Sequence, residues 1–236
     1  MINYEFLKDE ANKLGVSLVD YAADRFDVYA ERLVRWNNHV NLTAITEPDD
    51  IVIKHFVDCL NICRFVSFNK GDKVIDIGTG AGFPGMPLLI ANPEIDMTFV
   101  DSIGKKLAFI KDVMRNNGLV GEIIKARAEE LGKNGSHREQ YDFATARAVA
   151  PMNVLCEYCL PFVKVGGRFI AMKGASVKQE VEEAEKAIAV LGGALEKLEE
   201  FELPNGDKRG IVIIKKISQT PTKYPRKSKK IDTKPL

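Results

Sequence analysis

The chain has 236 residues, of which 45% are hydrophobic and 28% charged, with a net charge of +1. That is enough for one ordinary domain with a real core plus a smaller appendage. Its apolar runs are too short to cross a bilayer, its opening residues read as no signal peptide, and four cysteines (Cys59, Cys63, Cys156, Cys159) are too few for a disulfide framework, so a cytoplasmic protein with reduced thiols, no membrane partner and a monomeric state is expected.

Residues 1–66 read as a helical N-terminal extension. Ala22, Phe26, Tyr29, Leu33, Trp36 and Val40 recur at alternating spacings of four and three, which marks one apolar helix face. A further helix is expected from Asp49 or Asp50 to Phe65, with the two acids at its N-terminal end. Trp36, Asn37 and Asn41 are expected to fix this extension to the rest of the chain. His55 and Asp58, three apart on a helix, are expected to bond each other or cap a turn.

From 67 to 217 the pattern changes to a second domain. "KVIDI", "DMTFVD", "GEIIKA", "YDFATARAV" and "GRFIAMK" are short strand-like runs. Helical segments lie between them at about 84–91, 103–117, 151–162 and 176–192, with Gly118 at a C-terminal cap position. This alternation predicts an α/β fold, a doubly wound, mostly parallel sheet of seven strands. "LEKLEEFEL" and "GIVIIKKI" around "PNGDKR" predict a closing hairpin whose last strand runs antiparallel. A hairpin ending of that kind is typical of class I S-adenosylmethionine-dependent methyltransferases.

The stretch "VIDIGTGAGFPGMPL" (74–88) sets strand, glycine turn and helix in succession, an arrangement that presents backbone N–H groups to a ligand. It fits two patterns. Gly80-Ala-Gly82-Phe-Pro-Gly85 matches the dinucleotide fingerprint, with Asp101 placed as a ribose-binding acid. Asp76-Ile-Gly78-Thr-Gly80-Ala-Gly82 matches the acid-x-G-x-G-x-G pattern of methyltransferases. An acid at the strand end repels a pyrophosphate and favours the ammonium of S-adenosylmethionine, so Asp76 favours the sulfonium cofactor over a nicotinamide. Asp101 accepts two hydrogen bonds from ribose hydroxyls under either reading.

As to the methyl acceptor, the place after the fourth strand reads "TARAVAP" and lacks the Asn/Asp-Pro-Pro-aromatic motif of exocyclic amine methylation. Cys156 and Cys159 fall inside the apolar helical run "MNVLCEYCL", which suits core residues better than a cytosine-C5 nucleophile or a zinc site. Acceptors that need little activation are left, guanine N7 among them. The final stretch, 218–236, is a basic tail: from Lys215 to Leu236 eight Lys or Arg stand against one Asp. It is either a handle for a polyanion such as RNA or a solvated extension.

"WNNHVNLTAIT", "HFVDCL", "DIGTGAGFPGMPL", "RAEEL", "TARAVAP" and "MKG", in that order, resemble the RsmG (GidB) family of bacterial 16S ribosomal RNA guanine-N7 methyltransferases. The resemblance implies S-adenosyl-L-methionine as cofactor and 16S rRNA or the 30S ribosomal subunit as partner. It places Gly78 and Phe83 in the cofactor loop, Ala128 and Glu129 at the adenine end, and Arg147 at the border of the donor site, beside Asp76, Gly80 and Asp101 from the class pattern. Cys59 stands where the family pattern has serine. RNA contact is expected from Arg127, Lys173, Lys223, Arg226 and Lys227, with Lys229 and Lys230 adding charge and Tyr224 available to stack on a base. The rival readings are a nicotinamide-dependent oxidoreductase on a Rossmann-type sheet and a non-catalytic RNA-binding ribosome-assembly factor.

Overall fold

The computed structural model describes residues 1–19, 21–147 and 149–236; Asp20, and Ala148 within "TARAVAP", lie outside the described residues. Seven strands form one sheet: β1 (Lys73–Ile77), β2 (Asp96–Asp101), β3 (Glu122–Lys125), β4 (Tyr141–Arg147), β5 (Val163–Lys173), β6 (Gly193–Glu202) and β7 (Lys208–Lys216). Their order is β3-β2-β1-β4-β5-β7-β6, parallel as far as β5. β7 then runs antiparallel between β5 and β6, so the closing hairpin inserts its last strand inward. The chain reverses direction across the sheet between β1 and β4, and ligands of open α/β sheets bind at the carboxyl ends of the strands at such a switch point.

The strand period of two sorts side chains onto two cores. On one face, Val74 of β1 packs with helices α1 (Tyr4–Lys13), α2 (Tyr21–Asn37), α5 (Gly85–Ala91) and α6 (Gly104–Asn117), through Leu7, Phe26, Met86 and Phe109. On the other, Ile75 and Ile77 pack with α7 (Ala128–Leu131), α8 (Met152–Cys159) and α9 (Val177–Val190), through Leu131, Leu155 and Ala184. The N-terminal helices therefore complete the main core of the sheet rather than forming a separate layer.

The apolar stripe of α2 is buried from Ala22 through Leu33, but the helix stops at Asn37, short of Val40. Asn37 ends it by accepting the N–H groups of Leu42 and Thr43 on its side-chain oxygen, at 2.9 and 3.0 Å. Trp36 donates to Asp112 of α6 at 2.9 Å and meets Phe109 edge-on, which anchors the extension as expected; Asn41 is exposed. The next helical run starts at Pro48 and ends at Arg64: a turn α3 (Pro48–Ile51), a π-helical segment Val52–Val57, α4 (Asp58–Leu60) and a 3₁₀ turn Asn61–Arg64. π-segments of this kind gather at functional sites.

The basic tail is anchored to the fold through part of its length. Thr220, Tyr224 and Ile231 are buried, and α10 (Ser228–Thr233) lies against α8. Arg138 donates to the carbonyl oxygens of Thr220 and Tyr224, and the wholly buried Lys216 ammonium is met by Glu139, Thr220 and the carbonyls of Leu160 and Val163. Among the described residues no helix is long and apolar enough to cross a membrane.

Candidate active site

A cleft of about 470 Å³ opens at the carboxyl ends of β1, β2 and β4. The glycine loop Gly78–Ala81, Asp101, Ala128, Glu129 and Arg147 all line it, so chain segments far apart in sequence converge at the switch point. At Gly80 φ is +58°, and a Cβ added there would have only the Gly78 carbonyl oxygen nearby, at 3.8 Å. The backbone of the loop thus faces open cleft in a conformation that glycine adopts without strain.

Asp101 is buried at the tip of β2. One carboxylate oxygen accepts the Gly80 N–H at 3.0 Å and the other the Ile103 N–H at 2.8 Å. Each oxygen keeps a lone pair for a further donor, so the residue organises the loop and is still able to receive two hydroxyls. Glu129, buried in the first turn of α7, supplies a second carboxylate, while Phe83, Ile103 and Ala128 supply apolar wall. A cleft with paired hydroxyl-accepting carboxylates, glycine backbone and apolar walls fits S-adenosylmethionine.

Asp76 has a different place from the one expected. It points to the α5 face of the sheet, has no exposed surface and lies behind the loop rather than in the cleft wall. Its Oδ2 accepts from the Thr79 hydroxyl at 2.6 Å and the Gly85 N–H at 3.1 Å, and its Oδ1 from the Thr145 hydroxyl at 2.9 Å. Gly85 is required for this: a Cβ there would stand 2.9 Å from Asp76 Oδ2 and 2.7 Å from the Phe99 ring. Burial pushes the Asp76 carboxyl up to about 6, against the pull of those donors. Asp76 therefore ties β1, the loop, α5 and β4 together, and the preference for a cationic cofactor does not rest on its charge.

Arg147, at the end of β4, is the hub of the other side of the cleft. Its guanidinium lies 4.6 Å over the Phe83 ring and donates to Asp58 Oδ2 and the Lys54 carbonyl, each at 3.1 Å, and to His55 Nδ1 at 2.8 Å. Since Arg can only donate, Nδ1 accepts and the His55 proton sits on Nε2, where it is given to the Thr43 hydroxyl at 2.9 Å. Burial, reinforced by the neighbouring guanidinium, lowers the His55 pKa to about 3, so the ring is neutral and stacks on Phe83. His55 and Asp58 are thus joined through Arg147, not to each other. Burial also raises the Asp58 pKa, with Arg147 and Arg209 opposing it.

The residues expected to meet RNA divide. Arg127, Lys223 and Lys227 are exposed, and Arg127 stands at the cleft mouth beside a groove that also takes in Lys133, Lys227 and Lys229. Lys173 is buried: it donates to the Ala150 carbonyl and pairs with Glu180, each at 2.6 Å. Arg226 is held in the fold by the wholly buried Glu157, its Nη2 2.6 Å from Oε2 and its backbone N–H 2.7 Å from Oε1. Tyr224 packs in the core and cannot stack on a base. These three are corrected to structural roles, because each cation is matched to a carboxylate within the chain and the ring is covered.

Sequence reasoning did not single out Thr79, Lys106 or Tyr158, which also line the cleft, nor the support of the loop by Tyr29, whose hydroxyl donates to the Ala81 carbonyl at 2.5 Å. Tyr29 is visible in the sequence only as one more apolar position of α2. No group of His, Cys and carboxylates among the described residues is arranged to hold a metal.

Comparison with known proteins agrees with this geometry. A family model described as rRNA small subunit methyltransferase G matches residues 22–211. Proteins of that same name are similar over nearly full length. That of Acetivibrio thermocellus is 48% identical over 98% of this chain and 96% of its own. That of Leuconostoc mesenteroides is 46% identical over the whole of both. Among solved structures, TrmN from Thermus thermophilus shares the fold with a TM-score of 0.53 at 18% identity, over 68% of this chain and 48% of its own. The YcgJ protein of Bacillus does so with a TM-score of 0.53 at 14% identity, over 70% of this chain and all of its own.

Proposed function

The chain belongs to the rRNA small subunit methyltransferase G family, and on that premise we propose that it transfers the methyl group of S-adenosylmethionine to N7 of a guanine in 16S ribosomal RNA. The observation that supports this reading is the family match itself, which spans the glycine loop, Asp101, Glu129 and Arg147, the residues that converge on one cleft. The inward antiparallel β7 also speaks against the all-parallel dinucleotide sheet of an oxidoreductase.

S-adenosylmethionine, when bound, supplies an electrophilic methyl group on a sulfonium. The protein's part is positioning. Asp101 and Glu129 would receive the donor's hydroxyl and amino groups, and the backbone of Gly78 and Gly80 would let it approach the strand ends. Guanine N7 already carries a free lone pair, so no side chain has to remove a proton before attack. Aligning nucleophile and methyl in one site replaces an encounter in solution, an effect capable of several kcal/mol, up to about 7–11 in well-oriented systems. The exposed cations of Arg127, Lys227 and Lys229 would meet RNA phosphates near the mouth of the cleft.

The test is methylation of unmodified 16S RNA and of 30S subunits with labelled donor, the product mapped by borohydride–aniline cleavage, which cuts at 7-methylguanosine. Cleavage at a single guanine is expected. Label that stays on the donor, or a product resistant to aniline, would overturn the assignment. Calorimetry with S-adenosylmethionine and with NAD separates the donor reading from the oxidoreductase one.

A further inference from the structure

Beyond the donor cleft, on the other side of Arg147, lies a second cavity of about 370 Å³. It is lined by Lys54, His55, Asp58, Lys173 and Arg209, with Arg147 common to both spaces. The volume falls in the ordinary range of small-molecule sites. Asp58 is 4% exposed, and its two oxygens are not equivalent. Oδ2 meets Arg147 at 3.1 Å and Arg209 at 3.6 Å, while Oδ1 is buried with no hydrogen-bond partner among the described residues. A buried carboxylate oxygen without a donor is costly, and native folds leave few such groups unexplained.

The chemistry of the bases says what fits. A carboxylate only accepts hydrogen bonds. Guanine presents two adjacent donors, N1–H and the exocyclic N2 amino group, on its Watson–Crick edge. Adenine and cytosine each place a ring acceptor beside their amino group, and uracil flanks its N3–H with two carbonyls. Only guanine pairs both donors with one carboxylate. N7 lies on the opposite edge of the same base and stays free. Methylation there makes the ring cationic, and a carboxylate already bonded to the base offsets the growing charge.

We propose that this second cavity is the acceptor slot and that Asp58 is its specificity-determining residue, receiving the donors of the target guanine's Watson–Crick edge on Oδ1, the oxygen that no donor among the described residues meets. The assignment rests on the guanine-N7 reading given above. Lys54 and Arg209 lie partly exposed beside it, paired with Asp50 at 2.9 Å and Asp207 at 3.2 Å, and each keeps further N–H donors for the phosphate of the target nucleotide.

The experiment first maps the methylated guanine by aniline cleavage. 16S fragments or reconstituted 30S subunits then carry guanine or inosine at that position. Inosine keeps N7, O6 and N1–H and lacks only the exocyclic amino group. Wild type should prefer guanine by about tenfold in kcat/KM, the loss expected when one hydrogen bond to a charged acceptor is deleted. Asp58→Asn should lose about thirtyfold or more on guanine and bring the guanine-to-inosine ratio close to one, because amino group and carboxylate act as a pair. Its affinity for S-adenosylmethionine should stay within about threefold, since His55 and the Lys54 carbonyl still hold Arg147. Equal wild-type rates on guanine and inosine would overturn the slot whether or not the variant folds. A variant that keeps the wild-type ratio while donor affinity collapses would reduce Asp58 to a support for Arg147. If wild type yields no aniline-sensitive site, the guanine-N7 reading itself fails and the slot with it, and the mapping step alone shows this.

Discussion

At the scale of single residues, the two strand-end acids part: Asp101 lines the cleft and Asp76 lies behind it. Asp101 faces the cleft and holds Gly80 and Ile103 in place, so Asp101→Ala removes both the ribose acceptor and the organiser of the loop. Donor affinity measured by calorimetry should fall tenfold or more. Asp76 is the contrary case. In Asp76→Asn the amide oxygen is able to keep the bonds from Thr79 and Gly85, while its NH₂ donates to the Thr145 hydroxyl. Donor affinity should change by no more than a few-fold. The pH dependence of stability should change instead. The native carboxyl titrates near 6 and the unfolded one near 3.8, so the native state holds an extra proton between those values. Its stabilising contribution is complete below about pH 4 and lost as pH rises through 6, at most about 3 kcal/mol in all. Thermal unfolding from pH 4 to 7 should therefore fall less steeply for Asp76→Asn than for wild type. Parallel curves would show that Asp76 is ionised throughout.

At the scale of elements, the N-terminal helices support the cleft, because α2 reaches the glycine loop. Tyr29, wholly buried on α2, stacks on Phe56, meets Phe83 and Phe109 at a tilt and fixes the Ala81 carbonyl. Tyr29→Phe keeps the ring and leaves that carbonyl without its donor. A loss of about 1–2 kcal/mol in urea unfolding is expected, together with weaker donor binding. A loss of stability with donor binding untouched would show that the loop does not depend on α2. The strands and their order of direction were readable because buried strands are short apolar runs between turn signals, and "PNGDKR" announces the hairpin. The meeting of Gly80 and Asp101 was readable because each ends or follows a strand of a parallel sheet, whereas Glu129 and Arg147 were legible only through the family resemblance. The π-segment at Val52–Val57 has no period of its own, since its apolar residues also fit an ordinary helix. The hub that Arg147 makes with His55 and Asp58 joins positions about 90 apart, which no local pattern encodes.

At the scale of the whole molecule, the tail divides into a part that closes the fold and a part that faces solvent. Composition could not separate them, because Arg226 and Lys227 are alike in charge and differ only in whether Glu157 lies beneath. Arg226 neutralises a carboxylate with no exposed surface, and removing one partner of such a pair costs about 3–5 kcal/mol. Arg226→Gln should therefore release the tail. Tyr158, whose hydroxyl bonds Asp232 of α10 at 3.0 Å, also lines the donor cleft, so donor affinity should fall along with stability. The exposed lysines behave otherwise. Replacing Lys223, Lys227, Lys229 and Lys230 by Gln leaves the buried pair intact, so donor affinity and melting temperature should stay near wild type. RNA binding should weaken at moderate salt, and if all four meet phosphates the slope of log affinity against log salt flattens by about 3, at roughly 0.7–0.9 per phosphate. Filter binding of a 16S fragment over a salt series measures this directly. An unchanged slope would move the RNA surface to Arg127 and Lys133, on the α7 side of the same groove.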